Sequence, residues 1–487
     1  MHRRTDTAMT EEKKRIRIGL YSGGIQHYWT EMGMKGLPEV LEKDIDRLIH
    51  ILEKDFDVVY PGFAANARDS EKIGRSIRDR EGEMALMYHA TYLDDEMSLA
   101  FLDELGDIFP VLFHSQGFHT FRKQADLIDA GRSWGNNSIV QLPGTLKRLR
   151  PNLRFGYVFG NFDDPRAVSE IGEYARATRA VKRLRGCKIA FLPHRSNAVP
   201  MYDTFPDEAM MMAQTKIKTT YLYIQDLINA MNKVSDAETE ALASELYKKY
   251  EVVEPSEEEV RLAAKQAIAL ERLVKDRGID ALAIDTGPGL IPYTGMIPCV
   301  GMARLIDQGV VVTTEGDLSV AVSGLILQEL SGGKPIQFWE HLAFDEENNW
   351  ILGGHEGGSA GFTMAKANTR PRLRNTQYIN FGGIPGAPYH GVVPEFITNP
   401  GPITLLTLFR GPSGYEMRLA SGESVDVDPL PVHYEHTVFK PRIPLRQYFK
   451  RIAELGVCHH FAVVYADVAS EVEKVAKVLG MKLQSLT

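Results

Sequence analysis

The sequence has few features that would place the protein outside the class of ordinary globular proteins. Only three of its 487 residues are cysteines, and Cys187, Cys299 and Cys458 are too widely spaced for a disulfide framework or a thiolate zinc site. A reducing compartment, the cytoplasm, is therefore the expected location. The net charge of −8 at pH 7 is mild, so neither nucleic acid nor an anionic membrane is expected as a partner.

Long hydrophobic runs are also missing. No apolar stretch approaches the roughly 20 residues that a membrane-spanning helix needs. The first residues, MHRRTDTAMTEEKKRIRIGLYSGG, contain no apolar segment of the signal-peptide kind, so secretion is not expected. The composition, with 44% hydrophobic and 25% charged residues, is typical of a soluble globular protein.

The first glycine turn lacks the pattern of a nicotinamide site. It reads Gly19-Leu-Tyr-Ser-Gly23-Gly24, which does not match the spacing of the dinucleotide-binding fingerprint. No acidic residue follows at the distance at which that fingerprint binds the ribose. A nicotinamide-binding site is therefore not expected at this turn.

Strand and helix patterns alternate through the first two thirds of the chain. FDVVYPG, MALMYHA and FPVLFHSQG are typical of buried strands, and LPEVLEKDIDRLIHILEKD has apolar residues at helical spacing. This alternation predicts parallel sheets covered by helices. A long helical pattern that leads into the strand CKIAFLPHR indicates a boundary, so we expect one α/β domain over residues 1–184 and a second over 185–334.

The character of the sequence changes after about residue 334. Glycine, proline and aromatic residues become dense, and short alternating runs lie between turn residues. This pattern predicts an antiparallel, barrel-like β-rich domain over residues 335–487.

Two acidic residues stand at the junction of a predicted strand and helix, in GVVVTTEGDLSVAVSGLILQEL. Glu315 and Asp317 could cap the helix and complement its dipole. They could instead serve a ligand, because ligands bind at the carboxyl ends of parallel strands. The local pattern leaves both interpretations open.

Two carboxylates and two imidazoles could form a metal site. Glu315, Glu340 in QFWEHLAF, His355 in ILGGHEGG and His460 in GVCHHFAVV suit a divalent transition ion such as Mn²⁺ or Co²⁺. Each residue also has a structural explanation: a helix cap, a surface acid, a turn residue and a hydrogen-bonded core histidine. No short spacing such as HExxH links them, so the pattern alone does not decide between a metal site and these structural roles.

The segment from GMARLIDQGVVVTTEGD to ILGGHEGG resembles the L-arabinose isomerases. In that family an EGD triplet opens a helix, an F-x-E segment and a G-x-H turn follow, and a His-His pair lies far downstream. All four elements occur here in this order, and the pair is His459-His460. The resemblance is strong over residues 300–360 and looser at GGIQHYWTE near the N-terminus.

The resemblance implies the roles of seven residues. Glu315, Glu340, His355 and His460 would bind the metal, with Mn²⁺ as the first expectation and Co²⁺ as the alternative. The same two glutamates would be the catalytic acid and base. The sugar would contact three further residues: Gln26, Gln141 and His459.

The resemblance also implies an architecture and a reaction. Two Rossmann-like α/β domains and a C-terminal β-rich domain would assemble into trimers or hexamers, with active sites at subunit interfaces. The enzyme would convert a free aldose into a ketose through an enediolate, and the ion would polarise the carbonyl group. Asp317 would then support the helix start or the metal-binding groups.

Two departures from the family indicate a changed sugar pocket. Gly144 stands where the family has a histidine, and residues 286–295 replace a more polar wall, with Gly289 near the place of a glutamate in fucose-type relatives. A sugar other than L-arabinose is therefore expected. Two alternatives remain open, namely a metal-dependent epimerase or lyase on the same scaffold, and a sugar-binding protein without turnover.

Overall fold

The computed structural model describes residues 15–120, 126–192, 201–285, 290–355, 357–375 and 391–487. The chain divides into two compact units, Met1–Lys182 and Arg183–Thr487. The predicted class is confirmed: parallel-sheet α/β structure is followed by a closed antiparallel barrel. The domain boundaries after residues 184 and 334 stay predictions. Among the described helices, none combines the length and apolar character needed to cross a membrane.

The first unit contains a five-stranded parallel sheet with the order β2-β1-β3-β4-β5. Its strands are β1 (Arg17–Tyr21), β2 (Asp57–Val59), β3 (Met84–Tyr88), β4 (Phe109–His114) and β5 (Gly156–Phe159). The central strand β3, MALMY, is buried at every position, as expected of a parallel strand with both faces covered.

Helices cover this sheet. They are α1 (His27–Thr30), α2 (Leu37–Leu52), α3 (Ala67–Asp79), α4 (Asp95–Glu104), α5 (Leu127–Ser133), α6 (Gly135–Leu149) and α7 (Pro165–Leu184). Helices α3, α4 and α5 begin at polar caps. Asn66 and Asp94 accept hydrogen bonds from the first turns of α3 and α4. These bonds satisfy backbone donors that have no partner within the helix.

The second unit begins with further α/β structure. Its strands up to residue 334 are β6 (Lys188–Leu192), β7 (Lys218–Tyr221), β8 (Glu251–Val252), β9 (Ala281–Ile284) and β10 (Val311–Thr313). All except β8 form a parallel sheet with the order β10-β9-β6-β7.

The helices of this part are α8 (Glu208–Thr215), α9 (Ile224–Met231), α10 (Asp236–Lys249), α11 (Glu257–Arg277), α12 (Ile291–Thr294), α13 (Cys299–Asp307) and α14 (Leu318–Leu330). Serine–glutamate capping boxes open α10 and α11. Apolar residues of α11 and α13 pack with β9 into one buried core.

The strands after residue 334 are β11 (Gln337–Asp345), β12 (Trp350–Gly354), β13 (Arg372–Asn375), β14 (Val392–Glu395), β15 (Gly401–Gly411), β16 (Gly414–Ser424), β17 (His436–Pro441), β18 (His460–Val464) and β19 (Leu483–Ser485). The ring β15-β18-β11-β12-β17-β16 closes on itself because β16 also pairs with β15. Strand β19 adds to β16, and β8, β13 and β14 form a separate small sheet.

Helix α14 connects the second parallel sheet to the barrel. Its residues are buried almost throughout, and it packs against β15 and β18. The last helices are α15 (Leu445–Leu455) and α16 (Ala469–Leu479). Because α14 starts directly after β10, this packing brings the end of β10 close to one end of β18.

Candidate metal centre

The turn between β10 and α14 places the first candidate ligand. Glu315 has φ +55° and Gly316 has φ +65°, so two successive residues adopt the left-handed conformation. For a residue with a Cβ atom this conformation costs roughly 1–2 kcal/mol. Backbone strain of this kind is often found at functional sites, where surrounding contacts maintain it. Here Thr313 Oγ1 donates to the carbonyl oxygen of Asp317 at 2.9 Å and so ties the turn together.

Asp317 makes two contacts, one for each of the roles considered from the sequence. Its Oδ1 accepts a hydrogen bond from the backbone N–H of Val320 at 3.0 Å and caps α14. Its Oδ2 lies 3.0 Å from Nδ1 of His460, and both side chains are buried. A carboxylate at this nitrogen keeps the proton on Nδ1 and leaves Nε2 with a lone pair.

Strand β11 carries Glu340 between two neighbouring strands. Glu340 lies directly opposite His460 on β18 and opposite Gly354 on β12. Directly opposed residues of antiparallel strands project to the same face, so the Glu340 and His460 side chains meet. His355 follows the last residue of β12 and lies beside them. The barrel register therefore brings together three candidate ligands that are far apart in sequence.

The donor atoms lie close to one another. His460 Nε2 is 3.6 Å from Glu315 Oε2 and 4.0 Å from Glu340 Oε2. His355 Nε2 is 3.9 Å from Glu315 Oε1. Phe338 contacts both imidazole rings, with centroid separations of 4.7 Å to His355 and 4.5 Å to His460, and forms an apolar floor.

The electrostatics favour neutral imidazole rings. Burial lowers the pKa of His355 well below its usual value, and the neighbouring His460 and His459 lower it further. Burial also lowers the pKa of His460, although the Asp317 hydrogen bond opposes this. Neutral imidazole is the form that binds a metal ion, so both rings are prepared for that role at neutral pH.

The arrangement fits a divalent ion. Glu340, His355 and His460 can each direct one donor atom so that all three atoms lie within 4.8 Å of one another, and the same holds for Glu315, His459 and His460. Within the described ranges, the buried Nε2 of His460 makes no hydrogen bond. A buried nitrogen acceptor next to two carboxylates is well suited to a cation. The assignment of these residues as ligands stays a prediction.

His459 has a partner that the sequence analysis missed. Asp203 Oδ2 lies 2.6 Å from Nδ1 of His459 and also accepts its backbone N–H at 3.0 Å. Burial alone would lower the pKa of His459, but the hydrogen bond and charge of Asp203 raise it above the usual value. Asp203 stands in MYDTFPDEAMM, where no motif distinguishes it, so no sequence signal could have identified it.

The two glutamines predicted to contact a sugar lie in the first unit. Gln26 is the exposed N-cap of α1, at the carboxyl end of the parallel sheet. Gln141 is exposed on α6, and its Oε1 accepts a hydrogen bond from Tyr92 Oη at 2.8 Å. Gly144 lies on the same helix, and a Cβ atom added there would meet nothing within 4 Å. Gly289 and residues 286–288 of the changed wall lie outside the described residues.

Comparison with known proteins gives an independent view of this site. Residues 206–333, which include β10, Glu315 and Asp317, match the model of the L-arabinose isomerase central domain. The sulfoquinovose isomerase of Alkalicoccus urumqiensis is 24% identical over 71% of this chain and 75% of its own length.

Two further proteins show a similar level of identity to this chain. The sulfoquinovose isomerase of Priestia megaterium is 21% identical over 71% of this chain and 75% of its own length. The L-arabinose isomerase of Geobacillus thermodenitrificans is 23% identical over 67% of this chain and 65% of its own length. The chain is therefore similar to sulfoquinovose isomerases and to L-arabinose isomerases over about two thirds of its length, and its residues 206–333 match the L-arabinose isomerase central domain.

Proposed function

We propose that the protein is a divalent-metal-dependent aldose–ketose isomerase that acts on a free sugar. The observation that carries the proposal is the convergence of Glu315, Glu340, His355 and His460, with a buried ring nitrogen of His460 facing both carboxylates. The names of the relatives, sulfoquinovose isomerase and L-arabinose isomerase, support the same reaction class.

These four residues would hold the ion, with Mn²⁺ as the first choice and Co²⁺ as the alternative. When bound, a divalent ion polarises the sugar carbonyl group and stabilises negative charge on the adjacent oxygens. The mixed oxygen and nitrogen donors suit these ions better than Ca²⁺, which prefers oxygen alone, or a thiolate zinc site.

The two glutamates would move the protons of the reaction. Aldose-to-ketose conversion transfers a proton from C2 to C1 and a hydroxyl proton from O2 to O1, so no other reactant is needed. One carboxylate would take the carbon-bound proton and return it to the neighbouring carbon, through an enediolate, and the other would transfer the hydroxyl proton. Glu315 is held by the strained turn and Glu340 by a strand with two paired neighbours, so both are on rigid supports.

Gln26 and Gln141 would contact the sugar from the first unit, and His459 from the barrel. We assign the two glutamines to the active site of another copy of the chain in a homo-oligomer. A trimer or a hexamer would meet this requirement.

The substrate would differ from L-arabinose. Space beside Gly144 is open, and a histidine at this position would have offered the sugar a hydrogen bond. Sulfoquinovose, which appears in the names of two of the relatives above, is a hexose that carries a sulfonate on C6. We therefore propose a hexose with a substituent on C6 as the preferred substrate.

A metal analysis followed by a sugar panel tests the proposal. The protein would be stripped with a chelator, reloaded with Mn²⁺, and assayed for ketose formation from L-arabinose, D-galactose, L-fucose, glucose 6-phosphate and sulfoquinovose. We expect metal-dependent ketose formation, with the highest kcat/KM for a 6-substituted hexose. A tenfold preference for L-arabinose would contradict the substrate assignment. An epimer, a cleaved product, or sugar binding without turnover would contradict isomerisation.

A further inference from the structure

Asp203 connects two distant parts of the second unit at the edge of the candidate metal centre. It lies in a short 3-10 helix, Tyr202–Thr204, which is 256 residues from His459. One carboxylate oxygen of Asp203 accepts both the ring Nδ1–H and the backbone N–H of His459. The backbone carbonyl oxygen of Asp203 also accepts the Cys458 thiol at 3.0 Å.

These contacts determine which side of the His459 ring is available. Since Nδ1 is bound to Asp203, Nε2 is the nitrogen that remains for another molecule. The ring lies against His460, with centroids 3.8 Å apart, and a His459 ring nitrogen can lie within 4.8 Å of both a Glu315 oxygen and a His460 nitrogen. The His459 side chain keeps 38% of its exposure, so a bound sugar could reach it.

We propose that Asp203 is a positioning residue that holds the His459 ring so that Nε2 faces the space beside Glu315 and hydrogen-bonds a sugar hydroxyl group. This inference rests on the proposed function. For histidines that bind a metal ion, loss of the carboxylate that orients the ring commonly costs about 10- to 100-fold in affinity or activity, and we expect a loss of similar size for a histidine that must be oriented toward a sugar.

If Asp203 holds the His459 ring in place, substitution of Asp203 should change the steady-state kinetics. In Asp203→Ala the ring loses its anchor, so we expect at least a tenfold lower kcat/KM, mainly through KM. In Asp203→Asn the amide oxygen can still accept one of the two N–H groups, so we expect an intermediate value. Mn²⁺ affinity should change by less than about threefold in both, because Asp203 contacts none of the four candidate ligands directly.

Asp207 offers a matched control. It lies four residues further along, has a side chain 36% exposed against 35% for Asp203, and pairs with Arg410 at 2.9 Å. Asp207 also caps α8, so Asp207→Ala removes comparable local stabilisation without touching His459. We expect this variant to lose thermal stability and to keep wild-type KM.

The double variant Asp203→Ala/His459→Gln separates positioning from general stability. If Asp203 acts through His459, the double variant should be no worse than His459→Gln alone. Additive losses in kcat/KM, or an equal rise of KM in Asp207→Ala, would overturn the inference.

A crystal structure of Asp203→Ala gives a readout that does not need turnover. We expect the His459 ring to rotate away from its position beside Glu315. An unchanged ring would overturn the inference even if the wild-type protein is an isomerase. A rotated ring in a protein that does not isomerise sugars would contradict the proposed function and leave the positioning role of Asp203 intact.

Discussion

Oδ2 of Asp317 lies 3.0 Å from Nδ1 of His460, and this hydrogen bond joins the start of α14 to the first residue of β18 across 143 residues of sequence. Both side chains are buried, so the bond is protected from water. It connects the turn that carries Glu315 to the strand that lies opposite Glu340. The geometry of the candidate centre therefore depends on a residue that is not itself a candidate ligand.

Substitution of Asp317 should separate its two roles. Serine is also a good N-cap but is too short to reach His460, so Asp317→Ser should keep α14 and lose the orienting bond. We expect Mn²⁺ affinity to fall by about 10- to 100-fold in this variant. Asp317→Ala should in addition lose on the order of 1 kcal/mol of unfolding free energy through the missing cap. Calorimetry with Mn²⁺ and urea unfolding would measure the two effects, and unchanged Mn²⁺ affinity in both variants would refute the orienting role.

Removal of a candidate histidine ligand should abolish metal binding. We expect about one Mn²⁺ per chain in the wild-type protein and none at micromolar concentration in His355→Ala or His460→Ala, because each ring would supply one of the proposed nitrogen donors. His341→Ala is a suitable control, since its ring contacts Trp339 and donates to or accepts from Tyr448 rather than facing the centre. Metal analysis after dialysis would measure the stoichiometry. Full Mn²⁺ binding in both His355→Ala and His460→Ala would contradict the assignment of these two residues as metal ligands.

The two glutamates should be essential for turnover. Glu315→Gln and Glu340→Gln keep side-chain size but lose the ability to exchange a proton, so we expect kcat to fall by at least ~10²-fold. Asp345→Asn alters an exposed carboxylate at the far end of the same strand and should keep wild-type kcat. Steady-state assays on the best sugar of the panel would measure these values. A fully active Glu340→Gln would show that the carboxylates have been assigned wrongly.

A buried carboxyl group beside the His355 turn should make stability depend on pH. Burial raises the pKa of Glu435 from 4.5 to about 8, against the opposing effect of main-chain N–H groups that include Gly358, which donates to Oε1 at 2.9 Å. The folded protein therefore keeps this proton to a higher pH than the unfolded chain does. It follows that the contribution of Glu435 to stability decreases as the pH rises from about 4.5 to about 8.

The variant Glu435→Gln should remove this pH dependence, because an amide stays neutral throughout. We expect Glu435→Gln to gain stability relative to the wild type as the pH rises: the difference in unfolding free energy, variant minus wild type, should be larger at pH 8.5 than at pH 5.5. Glu423→Gln, at an exposed position on β16, should leave the wild-type slope unchanged. Urea unfolding at several pH values would measure the slopes, and equal slopes for Glu435→Gln and the wild type would contradict the role assigned to Glu435.

Local sequence patterns determined much of the secondary structure. The apolar residues of LPEVLEKDIDRLIHIL recur at helical spacing, which predicted α2. The short uninterrupted apolar run MALMY is typical of a fully buried strand, which predicted β3. The change to glycine-rich, alternating segments after residue 334 predicted the β-rich part. The EGD triplet could be placed at a strand end for the same reason.

The candidate ligands could also be identified from the sequence, although only as a set. Glu315, Glu340, His355 and His460 each had an ordinary structural explanation, and it was their order along the chain that matched a family. Sequence order could not show that Nε2 of His460 lies within 4.0 Å of oxygens of both glutamates, or that Nε2 of His355 lies 3.9 Å from Glu315 Oε1. It also could not show whether Asp317 capped a helix or supported a ligand, because both roles require the same residue at the same place.

Only the tertiary structure decided which side chains meet. Glu340 faces His460 because barrel closure sets the register of β11 against β18, and a shift of one residue would turn either side chain to the opposite face. Asp203 reaches His459 across 256 residues, and Asp317 reaches His460 across 143. Local periodicity reports on neighbours within a few residues, whereas these contacts depend on how α14 and the 3-10 helix Tyr202–Thr204 pack against the barrel. The sequence by itself therefore determined the elements and the chemical types of the candidate centre, and long-range packing determined its geometry.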